Sequence, residues 1–146
     1  MKSIAVFLVV LLCSAYSAFA KSPVVKDVVL KAFAQSFPKV ENATWCEYGD
    51  CYEVYFEKND IKCRIKYDQD GNIISARRDY TEENLCPFLR ARINEKYPGK
   101  KIFGITEIMS GDATNYLIVL EDDKHWYHIS ADTNGQLSIQ KKLVKA

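Results

Sequence analysis

The sequence predicts an α+β fold: tandem α-β-β-β-β units forming one curved antiparallel sheet, with helices packed on one face. Three observations carry this. Tyr52-x-Val54-x-Phe56 followed by Asp68-x-Asp70-Gly71 returns 64 positions on as Tyr116-x-Ile118-x-Leu120 and Asp132-x-Asn134-Gly135. An upstream echo, Val29, Phe33 and Phe37-Pro38, returns 60 positions on as Leu89, Ile93 and Tyr97-Pro98. Between these marks, apolar and polar residues alternate with the period of half-buried strands. One helix per unit covers one face of a sheet, so the other face stays open.

Each element follows from local chemistry. Val25, Val29, Ala32, Phe33, Ser36 and Phe37 share a helical stripe, and Pro38 ends it. Ala43 to Tyr48 reads as a strand, and Cys51 to Glu57 alternates. Lys58-Asn59-Asp60 turns the chain. Ile61, Cys63, Ile65 and Tyr67 alternate with Lys62, Arg64 and Lys66. Asp70-Gly71 signals a hairpin, because glycine accepts positive φ. Ile73 to Tyr80 is the fourth strand.

In the second unit, Pro87 suits a first helical turn, where its missing N–H is not needed. Phe88, Leu89, Ile93 and Tyr97 form the apolar stripe, and Pro98-Gly99 stops the helix. Strands follow at about 101–109, 114–121, 124–131 and 136–143. The offsets of 60 and 64 place four extra residues between Lys100 and Asn115, around Met109-Ser110-Gly111-Asp112.

Residues 1–20 read as a signal peptide: Lys2, an apolar run from Ile4 to Cys13, and Ala18-Phe19-Ala20 as a cleavage site. The run is too short for a stable bilayer span. Lipidation at Cys13 is disfavoured, because Leu12 is not small. The units then cover 21–80 and 81–146 within one structural domain. Without Lys2, 19 basic residues face 19 acidic ones. That balance argues against nucleic acid, whose phosphates need a basic surplus. The expected location is periplasmic or secreted.

Four cysteines remain after the leader: Cys46, Cys51, Cys63 and Cys86. An even number in an exported chain favours disulfides. The turn-like Glu47-Tyr48-Gly49-Asp50 favours Cys46–Cys51 and leaves Cys63–Cys86, with free thiols as the alternative. The spacing is not that of a zinc site.

The remaining candidate motifs read as structure. If Gly71 or Gly135 held the sixth position of a calcium loop, Lys66 or Ser130 would be first and Arg77 or Lys141 twelfth. None is the required acid, so both segments are turns. His125 and His128 lie three apart on a strand and point to opposite faces. His125 falls on the inner face as a structural residue. A Cys–His dyad would need Cys63 free beside a histidine. Glu121-Asp122-Asp123 is a surface turn that cannot raise a carboxyl pKa by burial. No catalytic residue, metal or cofactor is expected.

The outer face is more informative. Glu53, Tyr55, Lys62, Arg64, Leu117, Val119, Trp126 and His128 should point away from the helices. Tyr, Trp and Arg on one face are the composition of a recognition surface. The candidate binding set is Tyr55, Arg64, Leu117, Val119, Trp126 and His128. Its occupant is expected to be an unidentified protein or peptide. A second copy of the chain, as a homodimer, and cover by the chain itself are the alternatives.

Several marks resemble a known family. They are Val29-Leu30-Lys31-Ala32-Phe33 with Phe37-Pro38, Ala43-Thr44-Trp45, Tyr52-x-Val54-x-Phe56 and Tyr67-Asp68-x-Asp70-Gly71. Leu85-x-Pro87, Tyr97-Pro98 and Asn134-Gly135 continue the series. Together they are similar to the β-lactamase-inhibitor-like, PepSY-like exported proteins of Gram-negative bacteria, over most of 24–143. The resemblance implies helix-plus-four-strand repeats and brings no catalytic residues with it. The four cysteines are not part of its pattern. The expected function is a non-enzymatic exported binding module, inhibitor-like in its narrower form. The alternative is a small-ligand sensor or carrier, marked by a cavity of about 300 Å³ or more between sheet and helices.

Overall fold

A computed structural model describes residues 23–146, so the expected signal peptide and Cys13 lie outside the described residues. Helix α1 (Asp27–Ser36) is followed by β1 (Thr44–Tyr48), β2 (Cys51–Lys58), β3 (Ile61–Asp68) and β4 (Ile73–Tyr80). A 3-10 turn at Glu82–Asn84 leads into α2 (Pro87–Lys96). Then come β5 (Lys101–Ser110), β6 (Ala113–Glu121), β7 (His125–Asp132) and β8 (Leu137–Val144). The eight strands form one open antiparallel sheet in sequence order. The halves join where β4 pairs with β5, from Tyr80↔Ile105 to Ser75↔Ser110.

Both helices end alike. The amide of Phe37 donates to the Phe33 carbonyl, and that of Tyr97 to the Ile93 carbonyl, just before a proline. Proline cannot continue the ladder, so each helix stops there.

Strand parity puts both helices on one face. On β4, Ala76 joins the cluster under α1 and Tyr80 the cluster under α2. Residues four apart on a strand share a face. Under α1 lie Tyr52, Val54, Phe56, Ile65 and Tyr67 around Val29 and Phe33. The Phe33 ring meets Trp45 at 5.3 Å and Phe56 at 5.5 Å, both edge-on. Under α2, Ile105, Ile118, Leu120 and Ile129 surround Leu89 and Ile93. Phe88 departs from the expected apolar stripe: it is 52% exposed and rests on the β7–β8 turn rather than in the core.

The turns explain that contact. Asp68 accepts the amides of Asp70 and Asn72, and Asp132 accepts those of Asn134 and Gln136. Gly71 and Gly135 then take φ of +87° and +77°. Helix α1 crosses Gly71 through Val28 and Ala32, and α2 crosses Gly135 through Phe88 and Arg92. A Cβ on Gly135 would stand 2.9 Å from the Phe88 ring. Gly135→Ala should therefore cost about 1–2 kcal/mol from left-handed strain and ring displacement. Gly111→Ala, at φ +56° with nothing within 4 Å, should lose only the backbone part. Urea denaturation of the two variants checks this; equal losses would remove the Phe88 contact from the account.

The extra residues of the second half lengthen one hairpin. Tyr48↔Cys51 closes the β1–β2 ladder, whereas β5–β6 continues past Ile108↔Asn115 through Met109↔Thr114 to Ser110↔Ala113.

The expected disulfides are corrected. Cys46 faces Glu53 and Cys51 faces Tyr48, so the two thiols are two residues out of register rather than opposed. Cys63 is buried under α1, while Cys86 is exposed just before α2. All four cysteines are free thiols.

Candidate functional site

The helix-free face is two surfaces side by side. Over β2 to β4 it is polar. Tyr55 pairs in register with Arg64, and Arg64 with Arg77. Arg64 Nε stands 3.6 Å from Glu53 Oε1, and Arg77 grips Asp79 through Nε at 2.9 Å and Nη2 at 3.0 Å. Over β5 to β7 it is apolar: Leu117 lies opposite Thr106, and Val119 lies between Gly104 and His128.

A groove of about 480 Å³ opens on the apolar side. Leu117, Val119 and Gly104 line it, with Asp79, His128 and Gln140 among its polar groups. Its aromatic wall comes from a bulge. The β5–β6 register shifts between Ile102 and Gly104, which leaves Phe103 as the extra residue. A bulge re-aims the side chain it carries. Phe103 is 61% exposed and meets the Trp126 ring edge-on at 4.9 Å. Lys145 Nζ sits 4.4 Å over Trp126 and bonds Glu121 at 2.6 Å. Gly104, with open space where a Cβ would stand, keeps the floor low.

The structure thus gathers Leu117, Val119 and His128 in one groove, while Trp126 lies outside the lining and backs the wall residue Phe103. Tyr55 and Arg64 share the face but lie on β2 and β3, outside the groove. Phe103 and Gly104 were not legible in the sequence, because alternation predicts no bulge. The four-residue offset pointed to this hairpin without naming them.

His125 and His128 lie on opposite faces, as strand parity requires. His125 Nδ1 is 3.4 Å from Asp122 Oδ1, on the helix side. Cys63 sits on β3, four strands from either histidine, about 19 Å at ordinary strand spacing. No nucleophile–base pair forms there.

The Glu121-Asp122-Asp123 turn is organised by its middle residue. Asp122 accepts the Tyr127 hydroxyl at 2.7 Å, the Lys100 ammonium at 3.1 Å, and the amides of Lys124 and His125. These bonds, Tyr127 first, hold its carboxyl well below the usual carboxylate range. At Asp79, partial burial opposes the charge, but bonds from Arg77 and Thr106 outweigh it and hold the carboxyl low. Both groups release protons more readily folded than unfolded. Their stabilisation is complete above the ordinary carboxylate pKa of about 4 and is lost as pH falls through the depressed folded values. Urea midpoints should therefore drop between pH 7 and pH 3, and Asp122→Asn should narrow that drop. An unchanged drop would refute the assignment.

A second groove, about 350 Å³, opens on the helix-bearing face between Phe37 at the end of α1 and Met109 of β5. Ile61, Cys63, Ile65 and Ala76 line it, with Lys58 and Arg78 as its charged groups. Arg78 Nη1 bonds Glu107 Oε1 at 3.1 Å, and the Tyr80 hydroxyl donates to Glu107 Oε2 at 2.7 Å. No helix among the described residues is long and apolar enough to cross a membrane.

No protein-family profile and no curated protein matches the chain. Solved structures do. A BLIP-like protein from Bacteroides fragilis superposes with a TM-score of 0.62 at 14% identity, covering 83% of this chain and 88% of that one. A DUF2874 family protein from Bacteroides ovatus gives 0.58 at 15%, covering 81% and 86%. A protein from Bacteroides eggerthii, described as periplasmic, gives 0.59 at 14%, covering 82% and 88%. These likenesses establish a BLIP-like fold. They do not extend to the PepSY-like part of the resemblance.

Proposed function

We propose that this chain is an exported, non-enzymatic binding module whose helix-free sheet face seats a protein or peptide, in an inhibitor-like manner. One observation carries the reading: the β5 bulge turns Phe103 out of the sheet and stands it on Trp126 beside an apolar floor. A large aromatic held in water costs about 1.5–3 kcal/mol relative to burying it. Exposed aromatic clusters on a rigid scaffold are the anchors of protein interfaces. The polar half, with Tyr55, Arg64 and Arg77, supplies a rim that adds orientation more than affinity.

BLIP-like neighbours, and the description of one as periplasmic, support this reading and an envelope location. So does the leader-like start of the sequence. A second copy of the chain is the competing occupant.

Affinity capture from native periplasm, read by mass spectrometry, tests the proposal. Trp126→Ala and Leu117→Asp should each deplete the captured partner at least about tenfold, since an interface anchor carries 2 kcal/mol or more. Tyr55→Ala should weaken capture less. Unchanged capture by the first two variants would overturn the reading, and recovery of the chain itself alone would favour a homodimer.

A further inference from the structure

The groove on the helix-bearing face carries an inference separate from the open-face reading. Its floor is two cross-strand rows. One runs Phe56–Cys63–Arg78 and reaches Glu107 on β5, and the next runs Ile65–Ala76–Met109. Rows on one face are two residues apart, about 6.7 Å. Ile73 extends the apolar end by a further step, and Lys58 stands at the turn beyond Phe56. The cavity is therefore an apolar trough with positive charge at one end.

Its charge is unbalanced. Lys58 and Arg78 are the ionised side chains in the lining, and no carboxylate joins them. Glu107 lies outside the lining and bonds Arg78 through Nη1 alone, while also accepting the Tyr80 hydroxyl. Two cations against that one carboxylate leave one net positive charge. The Arg78 side chain keeps 38% of its surface exposed, so its other N–H groups remain available. At the opposite end, Ile73 and Met109 are 48% and 41% exposed. Apolar side chains at the mouth and a guanidinium at the head match a ligand with one tail and one anionic group. A volume of about 350 Å³ suits a small molecule rather than a folded partner.

We propose that this groove binds an amphipathic monoanion, a carboxylate carrying a medium-length alkyl chain. The carboxylate takes the free N–H groups of Arg78, with Lys58 beside it. The chain lies over Ile65, Ala76 and Met109.

Titration calorimetry of the protein with sodium decanoate, kept below micelle formation, tests this. One saturable site is expected. The methyl resonances of Ile65, Ala76 and Met109 should shift, while those of Leu117 and Val119 stay in place. Arg78→Gln and Met109→Trp should each weaken binding about tenfold or more. The neutral 1-decanol should also bind about tenfold more weakly. Lys58→Gln, at the exposed end of β2, leaves the Arg78–Glu107 pair intact and should cost about threefold even if Arg78→Gln does not fold. Absence of saturable binding, decanol binding as tightly as decanoate, or shifts confined to Leu117 and Val119 would each overturn the proposal. Loss of partner capture by Trp126→Ala bears only on the other face.

Discussion

Leu89→Ala should lower the unfolding free energy by about 3–5 kcal/mol, near the top of the range for large-to-small core changes. Helix α2 is held by little. Of its ten residues, only Leu89 and Ile93 are buried. Arg90, Arg92, Asn94, Glu95 and Lys96 make most of its remaining surface polar. An isolated ten-residue helix is marginal in water, so tertiary anchoring must hold it in place. Leu89 packs within the cluster of Ile105, Ile118, Leu120 and Ile129, which are central strand residues. Strands cannot collapse easily into the space the side chain vacates, so a cavity remains. Urea denaturation followed by far-ultraviolet circular dichroism would measure the loss. A change below 1 kcal/mol would mean that α2 contributes little to the fold. Ile93→Val, which keeps the anchor and removes one methyl, should cost about 0.5–1.5 kcal/mol.

Glu107→Ala should cost about 2–3 kcal/mol for a different reason. Glu107 is the buried charged residue among the described residues, at 9% exposure. It accepts from Arg78 on β4 and from the Tyr80 hydroxyl, close to where the halves join. Removing it leaves a guanidinium and a buried phenol without their acceptor. Burial and the carboxylate together push the Tyr80 pKa up, which keeps the hydroxyl a donor at any ordinary pH. A buried pair broken on one side costs about 3–5 kcal/mol, but Arg78 is 38% exposed and water recovers part of that. A double-mutant cycle with Arg78→Met isolates the pair. The double variant should be more stable than Glu107→Ala alone, because no unpaired cation remains. If it is less stable by the sum of the single losses, the two residues do not act as a pair.

The element order was legible because the local signals agreed. Proline ended each helix, aspartate and glycine made each turn, and alternation marked the strands. Alternation also assigned faces: Tyr55, Arg64, Leu117, Val119, Trp126 and His128 all lie opposite the helices. It said nothing of which of them come together. Leu117, Val119 and His128 meet across β6 and β7, whereas Tyr55 on β2 and Arg64 on β3 lie four and three strands from β6, on the polar side. The cysteines show that flanking a turn is not the same as facing across it. Cys46 and Cys51 flank a tight turn, but a two-residue loop pairs Tyr48 with Cys51 and leaves Cys46 opposite Glu53.

Local sequence specifies the elements, their turns and the face of the strand residues outside the bulges, since these depend on neighbours a few positions away. Tertiary structure alone decided the rest. The β5 bulge arises from pairing with β6 and exposes Phe103. Beyond the end of α1, the sheet carries a trough along β3 and β4 that ends at Arg78. Register sets which thiols, carboxylates and guanidinium groups meet. Each of these depends on contacts between residues distant in the chain, which local periodicity does not encode.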